Sequence, residues 1–341
     1  MMRNLGPWRA PLLAALSLAA GATLARADAV EDFYKGRTVT VLVGVGAGGE
    51  YDFQMRLVAR HIGKYIPGKP ATLAQNMVGA TGLLMANHLA NVAPRDGTVI
   101  ALVQNGLPSF QAMGIDGINF DATKFNWLGS LAPTAETMGV WKGANVRTIE
   151  EARNKDLIAG ANGRSGVTYT FPRIMNELLG TRFKIVTGYP NVNEINLAME
   201  RGEADARNNS WTSWKAAKNE WIVNKMISIL VYAGPKPADL NGVPAFEDLV
   251  TNAADKQLVR LVISGSRLGH PFATTPGTPP ERVQALRDAF AAMWKDPDYL
   301  KEVAAARLEP NPVSGEKLKA EVDELMAMPK DVRERGKRLV E

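Results

Sequence analysis

The sequence predicts an α/β protein built as two halves of the same plan. Three observations carry this. Short β-branched runs alternate with longer stretches of helical periodicity. Loops rich in Gly, Asn, Ser or Thr follow the predicted strands. The order strand, loop, helix, strand occurs twice, in two stretches that share a plan without sharing residues. Such alternation implies parallel sheets with helices on both faces. At 341 residues the chain has enough length for two domains of ordinary size.

Taken in order, Arg3 and Arg9 precede an apolar Leu/Ala run from Pro11 to Leu24, and Ala25-Arg26-Ala27 follows as a small-x-small site. This is the three-part pattern of a secretory signal peptide, 1–27, cleaved after Ala27, and it predicts a periplasmic protein. The run is shorter than the roughly 20 residues that a membrane-spanning helix needs. The chain has no Cys, which removes disulfides, lipidated cysteines and thiolate metal sites. Of the formal charge of +5, three charges are Arg3, Arg9 and Arg26, so the mature chain carries +2. With no block of basic residues, nucleic acid is not an expected partner.

In the first half, Val39–Val43 reads as a strand and the glycine loop Gly44 to Asp52 follows it. Phe53, Leu57, Val58, Ile62 and Ile66 then share one helical face until Pro67-Gly68 stops the helix. Thr72–Met77 is a strand, Gly79–Gly82 a loop, Leu83 to Val92 a helix, Pro94–Gly97 a turn, and Thr98–Gln104 a strand ending at Asn105-Gly106. The second half runs through strand Leu157–Ala161, loop Asn162–Gly166 and helix Val167 to Leu179. Strand Phe183–Val186, helix Val192 to Arg201, and short strand Ala204–Arg207 ending at Asn208-Asn209-Ser210 come next, then strand Met226–Tyr232. Thr278-Pro279-Pro280 opens a helix to Trp294, since proline in a first turn removes no helical hydrogen bond. Charged amphipathic helices Gly315–Met328 and Pro329–Leu339 close the chain.

Gly44, Gly46 and Gly49 match G-x-G-x-x-G between a strand and a helix. A dinucleotide site also needs an acid at the end of the second strand. That strand ends Gln75-Asn76-Met77-Val78, and no Lys-Ser or Lys-Thr follows the glycines for a Walker-type loop. His61, His88 and His270 are scattered, so no zinc set forms. Ser165 lies in Gly163-Arg164-Ser165-Gly166, which lacks the spacing of a nucleophile elbow. A periplasmic serine hydrolase-like enzyme using Ser165 is the rival reading. No catalytic residue, metal ligand or cofactor is assigned.

Binding is what the loops suggest. Gly46–Asp52, Gly79–Gly82, Gln104–Gly106, Gly163–Thr168 and Asn208–Ser210 all follow strand ends, where ligands of open α/β sheets sit. Each could be an ordinary turn. Five at equivalent places in two halves favour a ligand site. Bare N–H groups at a helix start attract an anion, and Arg164 offers a bidentate grip on a carboxylate. Glu50 repels an anion unless it faces outward or meets an amino group.

These pieces together resemble the Bug-type, TctC-like periplasmic receptors of tripartite tricarboxylate transporters, over nearly all of the mature chain. The resemblance rests on Arg37-Thr-Val-Thr-Val-Leu-Val, Gly48-Gly49-x-x-Asp52 and Arg56-Leu-Val-Ala-Arg60. It continues through Gln75-Asn76, Gly79-Ala80-x-Gly82, Ala93-Pro-Arg-Asp-Gly-Thr98, Gly188-Tyr189, Ala198-Met-Glu-Arg-Gly-Glu-Ala-Asp205 and Pro276-Gly-Thr-Pro279. The resemblance implies a two-lobed, periplasmic-binding-protein-like fold of the type II Venus-flytrap kind, each lobe a mainly parallel sheet flanked by helices. The implied lobes are 28–138 with 268–341, and 139–267, joined near Thr137–Lys142 and Ser264–Pro271. It implies a monomer that closes on a small organic acid and delivers it to two integral membrane subunits, or a ligand-sensing receptor on the same fold. The implied ligand residues of the first lobe are Gly46, Ala47, Gly48, Gly49, Glu50, Tyr51, Asp52, Gly79, Ala80, Thr81, Gln104 and Asn105. Those of the second lobe are Gly163, Arg164, Ser165, Gly166, Thr168, Tyr189 and Asn209. Where the family shows P-x-P-x-G-G, this chain has Gly44-Val45-Gly46-Ala47, a run that loses more freedom on ordering.

Overall fold

The structure is a computed structural model that describes residues 29–48, 50–131, 133–163, 166–306, 308 and 310–340. The expected signal peptide and the expected site residues Gly49, Arg164 and Ser165 lie outside the described residues, as does the Thr81 side chain. A helix over 29–34 (α1) leads into β1 (Thr38–Val43), α2 (Glu50–Ile62), β2 (Ala71–Asn76), α3 (Leu83–Asn91), β3 (Val99–Leu102), α4 (Leu107–Met113) and β4 (Asn126–Leu131). Next come β5 (Glu136–Trp141), α5 (Ile149–Asn154), β6 (Leu157–Gly160), α6 (Val167–Leu179), β7 (Phe183–Val186), α7 (Val192–Arg201), β8 (Ala206–Ser210), α8 (Trp211–Val223) and β9 (Ile227–Ala233). Short helices α9 (Phe246–Leu249), α10 (Ala253–Val262) and α11 (Ser264–Leu268) return the chain to β10 (His270–Thr274). It ends through α12 (Pro280–Met293), α13 (Pro297–Ala305), β11 (Val313–Ser314), α14 (Gly315–Met326) and α15 (Lys330–Val340).

The strands form two sheets, a lobe around each. The first has the order β11-β4-β10-β3-β1-β2 and the second β7-β6-β8-β5-β9. The chain therefore passes between lobes twice, between Leu131 and Glu136 and between Ala233 and His270. The βα units expected from the sequence make the parallel blocks β2-β1-β3 and β7-β6-β8. The remaining pairings, β10 with β3 and β4, β11 with β4, and β5 with β8 and β9, are antiparallel, so both sheets are mixed. Apart from β11, these added strands lie next to the crossings. A strand that arrives from the other lobe has no helix crossover to force it parallel.

The central strand β1 is apolar on both faces, as a covered parallel strand must be. Val39, Val41 and Val43 pack with Met55, Val58 and Ile62 of α2, while Leu42 joins Met85 and Leu89 of α3. Each such fully buried side chain contributes about 1.5–3 kcal/mol. Helix α2 starts at Glu50, three residues before the periodicity suggests, because Glu50 and Asp52 complement the positive helix start. It stops at Ile62, ahead of a turn that needs left-handed backbone at Gly68 and Lys69.

The glycines of the first loop have a packing reason. A Cβ on Gly44 would fall 2.4 Å from Gly82 Cα, and one on Gly82 would fall 1.9 Å from Gln104 Oε1. Glycine at both lets the ends of β1 and β3 and the 79–82 turn touch. In the second lobe, β8 continues through Asn208, Asn209 and Ser210, which the sequence suggests as a loop. The polar residues are accommodated by tertiary bonds: Thr137 Oγ1 donates to Asn209 O at 2.7 Å, and Asn208 Nδ2 donates to Thr137 O at 3.2 Å.

The last helix, α15, spans the two lobes. It packs on α4 of the first lobe, on α6 of the second and on α10 between them. Arg335 reaches Asp255 Oδ1 at 2.8 Å and Glu177 Oε1 at 2.9 Å, and Arg173 Nη2 donates to Arg338 O at 2.7 Å. Among the described residues no helix is long and apolar enough to cross a membrane.

Candidate functional site

A cavity of about 420 Å³ opens between the lobes. Tyr51 from the first turn of α2, Ala80, and the segment from Gln104 through α4 form its first-lobe side. Glu136 at the start of β5 and Gly166, Val167 and Thr170 at the start of α6 form the second-lobe side. Val262, Ile263, Gly265 and Ser266, on the return connection, close the back. The size is that of a small-molecule site.

Local chemistry holds these residues in place. Asn105 N–H donates to Tyr51 Oη at 3.2 Å, and Asn105 Nδ2 donates to Gly265 O at 2.9 Å. The end of β3 is thereby tied both to α2 and to the return connection. Burial holds the Tyr51 phenol well above its ordinary range, with Glu50 and Glu136 adding to the rise, so it stays neutral. Gln104 is only 8% exposed, and neither Oε1 nor Nε2 has a hydrogen-bond partner among the described residues. A buried amide without partners costs free energy. Gly166 precedes α6 as its N-cap and has no side chain to cap it, so among the described residues the N–H groups of Val167 and Thr168 have no partner.

Glu136 is the main charge at the cavity. Burial pushes its carboxyl up to about 7, Asn208 and Arg207 pull it down, and Glu50 adds to the push. Asn208 Nδ2 donates to Glu136 Oε2 at 2.9 Å. Arg207 is fully buried, with its guanidinium 4.4 Å from the Trp214 ring centre. It donates from Nε to Asn196 Oδ1 at 2.8 Å and from Nη1 to Asn208 O at 3.1 Å. Burial lowers it to about 9, against the pull of Glu136. On the first-lobe side, the His270 ring lies 4.7 Å from that of Tyr51, and His270 Nε2 lies 3.6 Å from Glu50 Oε1. Burial lowers the His270 pKa, with Glu50 opposing.

The sequence-predicted residues divide into groups. Tyr51, Ala80, Gln104, Asn105 and Gly166 line the cavity. Gly46, Ala47, Gly48 and Glu50 are exposed, and Gly48 and Glu50 line a second, more open recess of about 320 Å³ facing Thr212 and Ser213 of α8. Asp52 is turned inward. It accepts from Gly48 N–H at 2.9 Å, Arg56 Nε at 3.0 Å and Asn76 Nδ2 at 2.8 Å, so it organises the loop. Gly79 closes the short turn by accepting from Gly82 N–H, with Thr81 inside that turn. Gly163 O accepts from Gly166 N–H, Thr168 Oγ1 from Asn162 N–H at 3.2 Å, and Tyr189 O from Asn162 Nδ2 at 3.1 Å. Those three shape the loop before α6. Asn209 sits in β8 opposite Thr137.

Three contributions escape the sequence reading: Glu136, the α4 wall and the return connection at 262–266. Leu107 and Phe110 at helical spacing after Gly106 were a signal for the wall. An acid at the start of the apolar strand 136–141 was a signal for Glu136.

No family model matches the chain. A protein of Cupriavidus necator, described as the UPF0065 protein in the gbd 5′ region, is 25% identical over 312 residues, covering 87% of each chain. A TctC solute binding protein from Polaromonas superposes with a TM-score of 0.68 at 19% identity, over 88% of this chain and 98% of that one. MatC from Rhodopseudomonas palustris with bound malate superposes with a TM-score of 0.60 at 19% identity, over 89% and 99%. The fold is thus the two-lobed, periplasmic-binding-protein-like fold of these solute-binding proteins.

Proposed function

We propose that the chain is a periplasmic solute receptor of the tripartite tricarboxylate transporter type, without catalysis, that captures a small organic carboxylate between its lobes. The observation that carries this is the interlobe cavity, where the end of β3 with the free Gln104 amide and the uncapped start of α6 come from different lobes. A ligand bridging such parts favours the closed arrangement over the open one. The relative of like fold that holds malate supports a carboxylate as the ligand class. In this reading the carboxylate rests on Gln104 and the first turn of α6, with Arg164 and Ser165 adjoining in sequence. The glycine loop Gly46–Asp52 forms the rim. Delivery is to a permease of two integral membrane subunits, and the receptor acts as a monomer exported through cleavage after Ala27.

The test is a thermal-shift screen of the mature chain against a few hundred organic acids, followed by calorimetry. A true ligand stabilises by about 2.7 kcal/mol at a hundredfold excess over its dissociation constant. At least one acid is expected to bind with one-to-one stoichiometry, and a panel with no binder defeats the reading. Deleting the gene is then expected to abolish uptake of that acid. Uptake that persists points to sensing instead of transport.

A further inference from the structure

The lining of the cleft matches only part of what a simple dianion needs. Among the described residues that line it there are two carboxylates, Glu136 and the exposed Asp116, and no Arg, Lys or His. Most of the wall is apolar, contributed by Leu83, Leu107, Phe110, Met113, Ile115 and Ile118. Glu136 has one hydrogen-bond partner among the described residues, Asn208 Nδ2 on Oε2. The groups facing it are Asn208 and Arg207 from β8 and Glu50 and Tyr51 from α2, with His270 of β10 beside Glu50. Arg207 forms no ion pair with it, since that guanidinium is held by Asn196, Asn208 and the Trp214 ring. A half-buried carboxylate without a paired cation is unfavourable until a positive group joins it. The same cavity offers a place for a negative group. Among the described residues, the Gln104 side chain is nine-tenths buried with both polar atoms unbonded, and the N–H groups of Val167 and Thr168 at the start of α6 have no partner.

Resting on the carboxylate-receptor reading, we propose that the cleft selects an apolar α-amino acid, with its carboxylate on Gln104 and the first turn of α6, its ammonium on Glu136, and its side chain on the α4 wall. The zwitterion satisfies three features that a dicarboxylate leaves mismatched: the Glu136 carboxylate without a paired cation, the lack of a basic side chain among the described lining residues, and the apolar surface. The cavity, at about 420 Å³, admits a ligand of this size.

Calorimetry on the mature chain tests this with phenylalanine and leucine against their deamino counterparts, 3-phenylpropanoate and 4-methylpentanoate, at pH 6 and pH 8. At pH 8 an amino acid is expected to bind at least tenfold more tightly than its counterpart. Because burial pushes Glu136 up to about 7, its ionised fraction rises about tenfold between pH 6 and pH 8. Affinity for the amino acid is expected to rise by the same factor, while that of the deamino acid stays level or falls. Glu136→Gln, checked for an unchanged circular dichroism spectrum, is expected to remove both the discrimination and the pH dependence. Deamino acids that bind as tightly as the amino acids, or discrimination that persists in Glu136→Gln, overturn the proposal and leave the carboxylate reading standing. Binding of another organic acid, with neither pair binding, overturns it in the same way. If nothing in either panel binds, both readings fall. The wild-type comparison at two pH values decides the matter even where the variant does not fold.

Discussion

At the scale of single residues, the site is organised by contacts that no local pattern announces. Gly82 carries φ of +85°, and its missing Cβ is the space that the Gln104 amide fills. Gly82→Ala is expected to lower stability by about 2–4 kcal/mol, from backbone strain and overpacking together. Adding Gln104→Ala should recover the overpacking part and leave about 1 kcal/mol of strain. Urea unfolding of the single and double variants measures the coupling, and additive losses would refute the contact. Asp52 acts through charge. The Arg56 hydrogen bond, helped by Asn76 and Gly48 and opposed by burial, lowers its pKa to about 2. A lowered carboxylate pKa stabilises the fold above the unfolded value and loses that contribution as pH falls through the folded one. Asp52→Asn should therefore cost about 1–3 kcal/mol at pH 7. The gap to wild type should narrow in urea unfolding at pH 3. The sequence marks Asp52 and Gln104 as site residues but does not separate the loop's organiser from the cavity-lining side chain whose amide is left without partners. That distinction depends on partners 4 to 24 residues away for Asp52 and on the absence of any partner for Gln104 among the described residues.

At the scale of elements, β1, α3, α6, β7 and α7 are legible because their apolar periodicity and stop signals agree. Helix α4 is not, since seven residues with a proline near the start give too short a pattern. The later part of β8 is not, because Asn208, Asn209 and Ser210 look like turn formers until Thr137 lies opposite. Helix α15 is amphipathic in the sequence as in the structure, but its apolar stripe serves both lobes. A Cβ on Gly336 would meet Leu261 Cδ2 at 2.8 Å and Met113 Sδ at 2.9 Å, both at the ends of flexible side chains. Gly336→Ala gains about 1 kcal/mol of helix propensity and should come out within about 1 kcal/mol of wild type. Gly336→Leu has no room and should cost about 1–3 kcal/mol. Thermal unfolding of the two variants checks the difference, and equal melting temperatures would mean that α15 does not press on the interlobe helices.

At the scale of the molecule, two of the three apolar clusters belong to single lobes. The third runs from α3 through α10, α14 and α15 to α6, so the lobes share a continuous apolar joint behind the cleft. Such a joint resists separation of the lobes, so closure would be a rotation about the two crossings. Saturating ligand is therefore expected to reduce the radius of gyration in small-angle scattering. Superimposable curves with and without a ligand proven by calorimetry would exclude closure. By itself the sequence determined the two parallel blocks and the glycine turns after their strands, because both are set by residues near one another in the chain. Only the tertiary structure decided that five expected residues share one cavity with Glu136 and the α4 wall. Those groups meet through the antiparallel strands at the two crossings, where which groups become neighbours depends on how the whole chain folds back and not on any local spacing.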